Sequence, residues 1–255
     1  MTRAVDVLTP YPGVIEIVMQ DEQNSNQFTQ DLVAGLFTAF SDIRQSPDAK
    51  VVVIHGYGPV FCTGGTKSEL LGIVDGLIQF DSVPLYRLLL DCELPVIAAM
   101  QGHALGGGLV FGLYADIVIL AEESLYGSNF TKYGFTPGMG ATLIMPEKLG
   151  ASLAAEMMLT ARSYHGGELK MRGVPFAVVK RHDVVALAFR MAKEIAAKPA
   201  LTLKLLKQAL TLRLAEQLPE AVRRETEMHR LTFAQPEVRE RIETLFGAPA
   251  PSNAR

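Results

Sequence analysis

The chain has few cysteines and no long apolar run, and both absences exclude whole classes of protein. Its two cysteines, Cys62 and Cys92, are far apart and form no CxxC pair, so neither a zinc site nor a disulfide scaffold is indicated. No apolar stretch approaches the roughly 20 residues that span a bilayer. Residues 1–9 carry Asp6 within their apolar run and no small-residue cleavage site, so we expect no signal peptide. We expect a protein of the reducing cytoplasm that does not bind a membrane.

Charge of one sign is not concentrated in any segment. The sequence has 24 Lys and Arg residues against 27 Asp and Glu residues, a formal net charge of -3, and its cations are scattered. Nucleic acid is therefore not an expected partner, because clustered basic residues are what bind it. The glycine clusters do not fit a GxGxxG fingerprint, and no GxxxxGKS/T phosphate loop is present. We therefore expect no nucleotide cofactor and no metal.

The sequence contains enough apolar residues to form a large buried core. Its 255 residues are 49% hydrophobic, which predicts one domain with a small appendage. A β-branched run at 14–18 is followed by a polar loop and then by Thr29, a predicted N-cap for a helix with apolar residues every three or four positions. The runs 51–54, 95–99 and 117–120 are apolar without alternation, which is typical of strands buried on both faces of a parallel sheet. The fold class is therefore α/β.

The second half of the chain is predicted to be mostly helical. Shorter helices are expected at 68–80 and 109–114 between the strands, and longer ones follow at 149–159, 183–197, 200–214 and 218–233. We divide the chain into a β/α core over residues 1–195 and a C-terminal helical region over 196–247. Residues 248–255 are expected to form a flexible tail.

Two glycine-rich loops each follow a buried strand and precede a helix. The first spans residues 61–66 and the second spans residues 102–108. Glycine allows the backbone to approach a ligand closely, and the free N–H groups at a helix start carry partial positive charge. Two such loops can direct two N–H donors at one oxygen, which is the arrangement of an oxyanion hole. Tight turns with a purely structural role are the alternative.

The wider motifs resemble those of a known superfamily. Residues 61–65, 101–108 and 115–117, in this order, are similar to the enoyl-CoA hydratase/isomerase (crotonase) superfamily over nearly the whole chain. The resemblance implies a spiral core of repeated β-β-α units with a helical C-terminal region. It also implies that the oxyanion donors are the N–H groups of Gly65 and Gly107.

The chain departs from this superfamily at two positions that matter for chemistry. Hydratases of the superfamily use two glutamates to activate water, and the matching positions here are Val110 and Phe130. Neither side chain can donate or accept a proton, so hydration has no acid–base machinery. An apolar pocket with an oxyanion hole suits decarboxylation instead, because the departing CO2 leaves its electrons to the enolate.

A narrower resemblance supports decarboxylation. Residues 91–103, 129–142 and 172–176 are similar to the decarboxylating members found in polyketide β-branching cassettes. By this resemblance the reaction converts a 3-methylglutaconyl thioester into a 3-methylcrotonyl thioester. We keep two alternatives, namely an enoyl thioester isomerase or hydratase and a non-catalytic scaffold.

The resemblance also suggests which polar side chains act. A histidine on a C-terminal helix matches His229, which would assist protonation of the dienolate. The expected lysine is missing, and Gln79 stands at its position, so Lys67 and Lys132 are possible substitutes. Asn129 and Tyr133 are predicted to line the substrate pocket with Val110 and Phe130, and His103 is predicted to brace the second glycine loop.

The carrier of the acyl group is predicted from the absence of basic residues in one loop. Coenzyme A users in this superfamily tend to carry basic residues in the loop that here spans 21–27, and this loop has none. An acyl carrier protein, with its phosphopantetheine arm, is therefore the expected partner, contacted by Arg87 or by Arg223 and Arg224. The resemblance further implies a homotrimer.

Overall fold

The structure is a computed structural model that describes residues 3–79 and 83–247, and it contains two sheets. The larger sheet has the spatial order β1-β2-β3-β5-β7-β10, and the smaller has the order β4-β6-β8-β9. With strands numbered in chain order, the larger sheet comprises β1 (Val5–Tyr11), β2 (Val14–Met19), β3 (Val51–His55), β5 (Val96–Met100), β7 (Ile117–Ala121) and β10 (Ala177–Val179). The smaller sheet comprises β4 (Val60–Cys62), β6 (His103–Leu105), β8 (Leu125–Gly127) and β9 (Ser163–His165).

Ten helices surround the sheets in the described part of the chain, and several close a repeating unit. They are α1 (Gln30–Arg44), α2 (Lys67–Val74), α3 (Arg87–Leu90), α4 (Gly107–Leu113), α5 (Ala141–Leu149), α6 (Ala151–Thr160), α7 (Gly166–Met171), α8 (Arg181–Ala196), α9 (Ala200–Thr232) and α10 (Pro236–Leu245). The units β3-β4-α2 and β5-β6-α4 each give their first strand to the larger sheet and their second to the smaller. This repetition is the predicted β-β-α spiral.

The apolar runs form parallel strands that are covered on both faces, as predicted. β2, β3, β5 and β7 pair in parallel, and the four valine and isoleucine side chains from Val51 to Ile54 are fully buried. Val51 and Val53 pack toward α8, whereas Val52 and Ile54 belong to the main core on the other face. Full burial of each such side chain stabilises the fold by about 1.5–3 kcal/mol.

Thr29 caps α1, as predicted from the sequence. Its hydroxyl accepts a hydrogen bond from the N–H of Leu32 at 3.3 Å and donates to Asp21 Oδ2 at 2.8 Å. Leu32, Leu36 and Phe40 then bury the apolar side of the helix. The cap therefore fixes where α1 begins, immediately after the loop 21–27.

The predicted helix boundaries were wrong in three places. α2 ends at Val74 and not near residue 80, since Gly76 adopts a positive φ of 70° two residues later. The helix predicted over 149–159 is α6, but it begins two residues later, after Gly150, and the separate helix α5 before it was not predicted. α9 is a single helix through Pro219, not two helices.

α9 continues through Pro219 because it is anchored to the core on both sides of the proline. Lys207 precedes Pro219, Glu225 and His229 follow it, and all three side chains are buried. A proline inside a helix costs about 3 kcal/mol, and these buried contacts offset it. The predicted division at residue 195 stays a prediction, and the predicted tail at 248–255 lies outside the described residues.

Glu225 joins α9 to the beginning of α5. Its carboxylate accepts hydrogen bonds from the N–H groups of Gly140 at 2.7 Å and Thr142 at 2.8 Å. Burial nevertheless raises the pKa of this carboxyl above its usual value, while the Thr142 and Gly140 donors oppose the rise.

Among the described residues, no helix is both long and apolar enough to cross a membrane.

Candidate active site

The first glycine turn connects β4 to α2 and is fixed by hydrogen bonds on both sides of Gly65. Gly64 has a φ of 86°, and its carbonyl oxygen accepts the N–H of Phe28 at 2.8 Å. Thr66 and Glu69 form a capping box, in which the Thr66 N–H donates to Glu69 Oε2 at 3.1 Å and the Glu69 N–H donates to Thr66 Oγ1 at 3.1 Å. The backbone on either side of Gly65 is therefore held by the protein.

The cysteine of this turn is not a nucleophile. The Cys62 thiol is fully buried, and its Sγ donates a hydrogen bond to the Asn26 carbonyl oxygen at 3.0 Å. Burial raises the pKa of this thiol to about 12. The thiol therefore stays protonated at neutral pH, and only a thiolate reacts readily.

The second glycine turn connects β6 to α4 and is equally constrained. Gly106 has a φ of 53°, and a Cβ added there would lie 2.5 Å from Asn129 Oδ1. As predicted, His103 braces this turn, since its Nδ1 accepts the N–H of Leu125 at 2.9 Å. Burial lowers the pKa of His103, which keeps the imidazole neutral and Nδ1 able to accept.

The two turns pack directly against each other. A Cβ added to Gly64 would lie 2.9 Å from the Leu105 carbonyl oxygen and 3.1 Å from the Gly107 nitrogen. Gly65 and Gly107 both line one cavity, and within residues 3–79 and 83–247 no protein acceptor is hydrogen-bonded to either N–H. Two neighbouring N–H donors are thus left for a ligand, which is the geometry an oxyanion hole requires.

The cavity that contains these donors has a volume of about 990 Å³. Its wall is built from the β2–α1 connection, α2, the residues around 83–86, the two glycine turns, the segment 129–139 and the end of α10. Of the described residues that line it, Glu69 is the one carboxylate, and Lys132 and Arg241 are the two cations. The rest of the wall is apolar or uncharged, so a charge developing on a bound ligand meets few other charges.

Most of the residues predicted for the site do line this cavity. They are Gly65, Gly107, Gln79, Asn129, Phe130, Lys132 and Tyr133. The Phe130 ring is buried and meets Phe135 edge-on with centroids 6.0 Å apart, so an aromatic wall stands where hydratases have a glutamate. Tyr133 stacks between Phe135 and Phe246, and burial raises the pKa of its hydroxyl.

Three of the predicted residues do not line the cavity. Val110 is fully buried in the core side of α4, so it contributes packing rather than a pocket surface. Lys67 points away, since its Nζ donates to the Glu243 carbonyl oxygen at 2.9 Å and so ties α2 to α10. His229 is the third.

His229 lies behind an aromatic layer of the cavity wall. It is 5% exposed, and its Nε2 donates to the Thr136 carbonyl oxygen at 2.8 Å. Its ring meets Phe233 edge-on at 5.4 Å and Phe135 edge-on at 6.5 Å, and Phe135 lines the cavity. The structure therefore places His229 next to the wall and not on its surface.

Phe28, Glu69 and Arg241 are among the wall residues that were not predicted from the sequence. The signal for Glu69 was present, because Thr66 followed by Glu69 is the spacing of a capping box. Arg241 reaches the cavity only because α10 packs on α2 and on the turn Thr131–Tyr133. No local pattern marks such a tertiary contact.

In the described part of the chain, no group of three or more His, Cys, Asp or Glu side chains could hold a metal ion.

Comparisons with known proteins agree with this geometry. Residues 9–246 match the family Enoyl-CoA hydratase/isomerase. Bacillaene synthase decarboxylase PksI of Bacillus subtilis is 50% identical over 248 residues, which is 97% of this chain and 100% of PksI. The match to the family covers nearly the whole chain, including both glycine turns.

Two solved structures are close in fold as well as in sequence. A protein from a dehydratase/decarboxylase enzyme couple of polyketide β-branching superposes with a TM-score of 0.94 at 50% identity, covering 96% of this chain and 99% of that one. The ECH2 decarboxylase domain of CurF from Lyngbya majuscula superposes with a TM-score of 0.92 at 44% identity, covering 96% and 100%. The chain therefore belongs to the enoyl-CoA hydratase/isomerase family and, within it, to the decarboxylases of polyketide β-branching.

Proposed function

We propose that this chain decarboxylates a 3-methylglutaconyl-type thioester to a 3-methylcrotonyl thioester. The observation that carries the proposal is the pair of N–H donors at Gly65 and Gly107 in a cavity that Phe130 lines. Val110, at the other hydratase position, is buried in the core, so neither position supplies a carboxylate. Hydration needs two proton-transferring carboxylates. Decarboxylation needs only a sink for the electrons that CO2 leaves behind, and the two donors supply it.

The reaction follows from this geometry in two steps. The bond between the γ-carbon and the carboxylate breaks, CO2 leaves, and its electron pair passes through the conjugated system to the thioester oxygen, where the Gly65 and Gly107 N–H groups stabilise the negative charge. A proton then adds to the γ-carbon, and the electrons return to form the α,β double bond. Carbon and charge balance, because CO2 replaces the carboxylate and one proton is taken up.

We propose that His229 assists the proton transfer. Its Nε2 carries a proton, since the Thr136 carbonyl that it contacts can only accept. His229→Ala should lower kcat by roughly tenfold, which is less than the 100- to 10,000-fold typical of a direct general acid, because Phe135 separates the ring from the cavity. A kcat–pH profile identical to that of the wild type would remove His229 from the reaction, and circular dichroism would report whether the variant is folded.

The polar partner of the substrate carboxylate comes from the cavity wall. Gln79 and Lys132 line the cavity, whereas Lys67 is held by Glu243 outside it. We therefore propose Lys132 and Gln79, and not Lys67, as the groups that receive the carboxylate before it leaves. The Lys132 ammonium lies 5.5 Å from the centre of the Tyr133 ring, close to the cavity surface.

An acyl carrier protein is the carrier we propose, and no bound cofactor is needed for the chemistry above. Supporting this choice, the loop 21–27 has no basic residue to meet the nucleotide of coenzyme A. Arg87 pairs with Asp91, and Arg223 and Arg224 both pair with Glu220 on their own helix. All three proposed contacts for the carrier protein are thus neutralised by a neighbouring carboxylate, and charge alone does not favour one of them.

The test of the function is product analysis with two forms of one substrate. We expect 3-methylglutaconyl linked to a carrier protein to lose the mass of CO2, with a higher kcat/KM than the same group on coenzyme A. Intact substrate in the presence of folded protein would contradict the proposal. A product of unchanged mass with a moved double bond, seen by NMR, would establish the isomerase alternative, and failure to bind any acyl thioester would establish the scaffold alternative.

We propose a homotrimer, and the surface of α9 supports self-association. Leu201, Leu205, Leu206, Leu210 and Leu212 are between 53% and 74% exposed on this helix. Leu201, Leu205 and Leu212 share one face, since with 3.6 residues per turn a helix returns to nearly the same side after four and after eleven residues. Apolar patches of this kind mark protein interfaces.

The double variant Leu205→Glu/Leu212→Glu should shift the protein from trimer to monomer. Charge at the centre of an apolar interface leaves carboxylates desolvated, which disfavours association. Size-exclusion chromatography with light scattering measures the change. Leu8→Glu is the control, because Leu8 is 50% exposed on β1 and belongs to another surface. A wild-type monomer, or a double variant that stays trimeric, would contradict the proposed interface.

A further inference from the structure

Phe28 contacts both glycine turns of the cavity and lies at the start of α1. We propose that Phe28 is a positioning residue that sets the direction of the Gly65 N–H and the place of the Gly107 N–H. The proposal rests on the function proposed above, and it concerns the geometry of the oxyanion hole rather than the identity of the substrate.

The first contact is made by the backbone of Phe28. Its N–H donates to the Gly64 carbonyl oxygen at 2.8 Å, and the neighbouring residue Gln27 forms a parallel bridge with Gly64. The Gly64 carbonyl and the Gly65 N–H belong to one planar trans peptide unit, so they point in opposite directions. Holding the carbonyl toward the Phe28 N–H therefore fixes the Gly65 N–H on the opposite side of this peptide unit, at a residue that lines the cavity.

The second contact is made by the ring of Phe28. A Cβ added to Gly107 would lie 2.9 Å from Phe28 Cε2, so the ring packs directly on the Cα of the second donor residue. The ring also meets Phe111 edge-on, with centroids 6.1 Å apart, on the same helix as Gly107. The first turn of α4 is thus seated against Phe28.

Phe28 can transmit position because its own segment is fixed. Asn26 Nδ2 donates to the Met19 and Phe61 carbonyl oxygens, each at 2.9 Å, which joins the loop 21–27 to β2 and β4. Thr29, the next residue, caps α1 and binds Asp21. One rigid segment therefore holds one donor through its backbone and the other through its side chain. Because reacting groups misplaced by about 1 Å can cost 100-fold in rate, this double contact matters for turnover.

The experiment compares Phe28→Leu with Phe40→Leu. Both phenylalanines are 7% exposed, and Phe40 lies on α1 away from the cavity, so the pair is matched for loss of core packing. We expect Phe28→Leu to lower kcat by roughly 10- to 100-fold with a KM within about threefold of wild type. Phe40→Leu should retain wild-type kcat. Phe28→Met, which refills more of the space, should show an intermediate loss.

A spectroscopic readout separates positioning from general destabilisation. A bound 3-methylcrotonyl thioester labelled with ¹³C at its carbonyl reports hydrogen bonding by the downshift of its infrared carbonyl band. We expect a smaller downshift in Phe28→Leu than in wild type and an unchanged one in Phe40→Leu. Equal kcat and equal band positions in the two leucine variants would overturn the proposal. Wild-type protein that downshifts the band but releases no CO2 would instead refute the proposed function.

Discussion

Gly107→Ala should lower the rate of decarboxylation by roughly 100- to 1,000-fold, the loss typical when one oxyanion donor is removed. The added Cβ would lie 2.9 Å from both Met139 Sδ and Phe28 Cε2, and because the Phe28 ring is itself packed against Phe111, we expect the first turn of α4 to move away from these side chains. The N–H at position 107 moves with it. Steady-state measurement of CO2 release would show the fall in kcat, and the loss should appear in kcat/KM as well.

Alanine substitutions at two other glycines serve as comparisons for Gly107→Ala. Gly65→Ala should cost much less, because the nearest heavy atom to its added Cβ is Leu70 Cδ2 at 3.9 Å. Gly167→Ala is the control for a helical glycine, since α7 leaves a Cβ there only one neighbour, the Glu122 carbonyl oxygen at 3.7 Å. This control should keep full activity. If Gly107→Ala were as active as Gly167→Ala, the second donor would have to be assigned elsewhere.

Lys207→Met should lower the free energy of unfolding by about 3–5 kcal/mol, as expected when one partner of a buried ion pair is removed. Lys207 is 4% exposed, and its Nζ contacts Asp116 Oδ2 and the carbonyl oxygens of Leu89 and Leu94, each at 2.9 Å. The substitution preserves the volume of the side chain but leaves a carboxylate and two carbonyl groups without their cation. Urea unfolding followed by circular dichroism measures the loss.

Lys204→Met is the matched control for this prediction. Lys204 lies one turn earlier on α9 and pairs with Glu93, but both side chains are largely exposed, at 43% and 62%. Exposed pairs of this kind contribute at most about 1 kcal/mol. A similar small effect in both variants would mean that Lys207 does not anchor α9 to the core.

The sequence predicted the sheet and the two glycine turns because both depend on local pattern. Val51 to Ile54 form an unbroken run of β-branched residues, which is typical of a strand covered on both faces. Thr29 was likewise recognisable as a cap from its place before a helical pattern. Features that each residue carries within its own segment could therefore be predicted.

The rest of the site depends on contacts between distant segments, and these were not predictable. His229 matches a motif, but only the fold shows that Phe135 stands between it and the cavity. Lys67 lies beside the first glycine turn in sequence, yet it binds the Glu243 carbonyl. Phe28 looked like an ordinary apolar residue at a helix start. Its importance arises only where two turns from different β-β-α units meet.

The position of α10 has a consequence for how the site comes into being during synthesis. Leu245, Phe246 and Gly247 form part of the cavity wall, and α10 packs against α2 and the turn Thr131–Tyr133. Chains are made from the N-terminus at about 5–20 residues per second, so the residues of both glycine turns are made well before those of this wall. The cavity stays open on this side until α10 has emerged and docked. Enclosure of a substrate therefore depends on the part of the described chain that is made last.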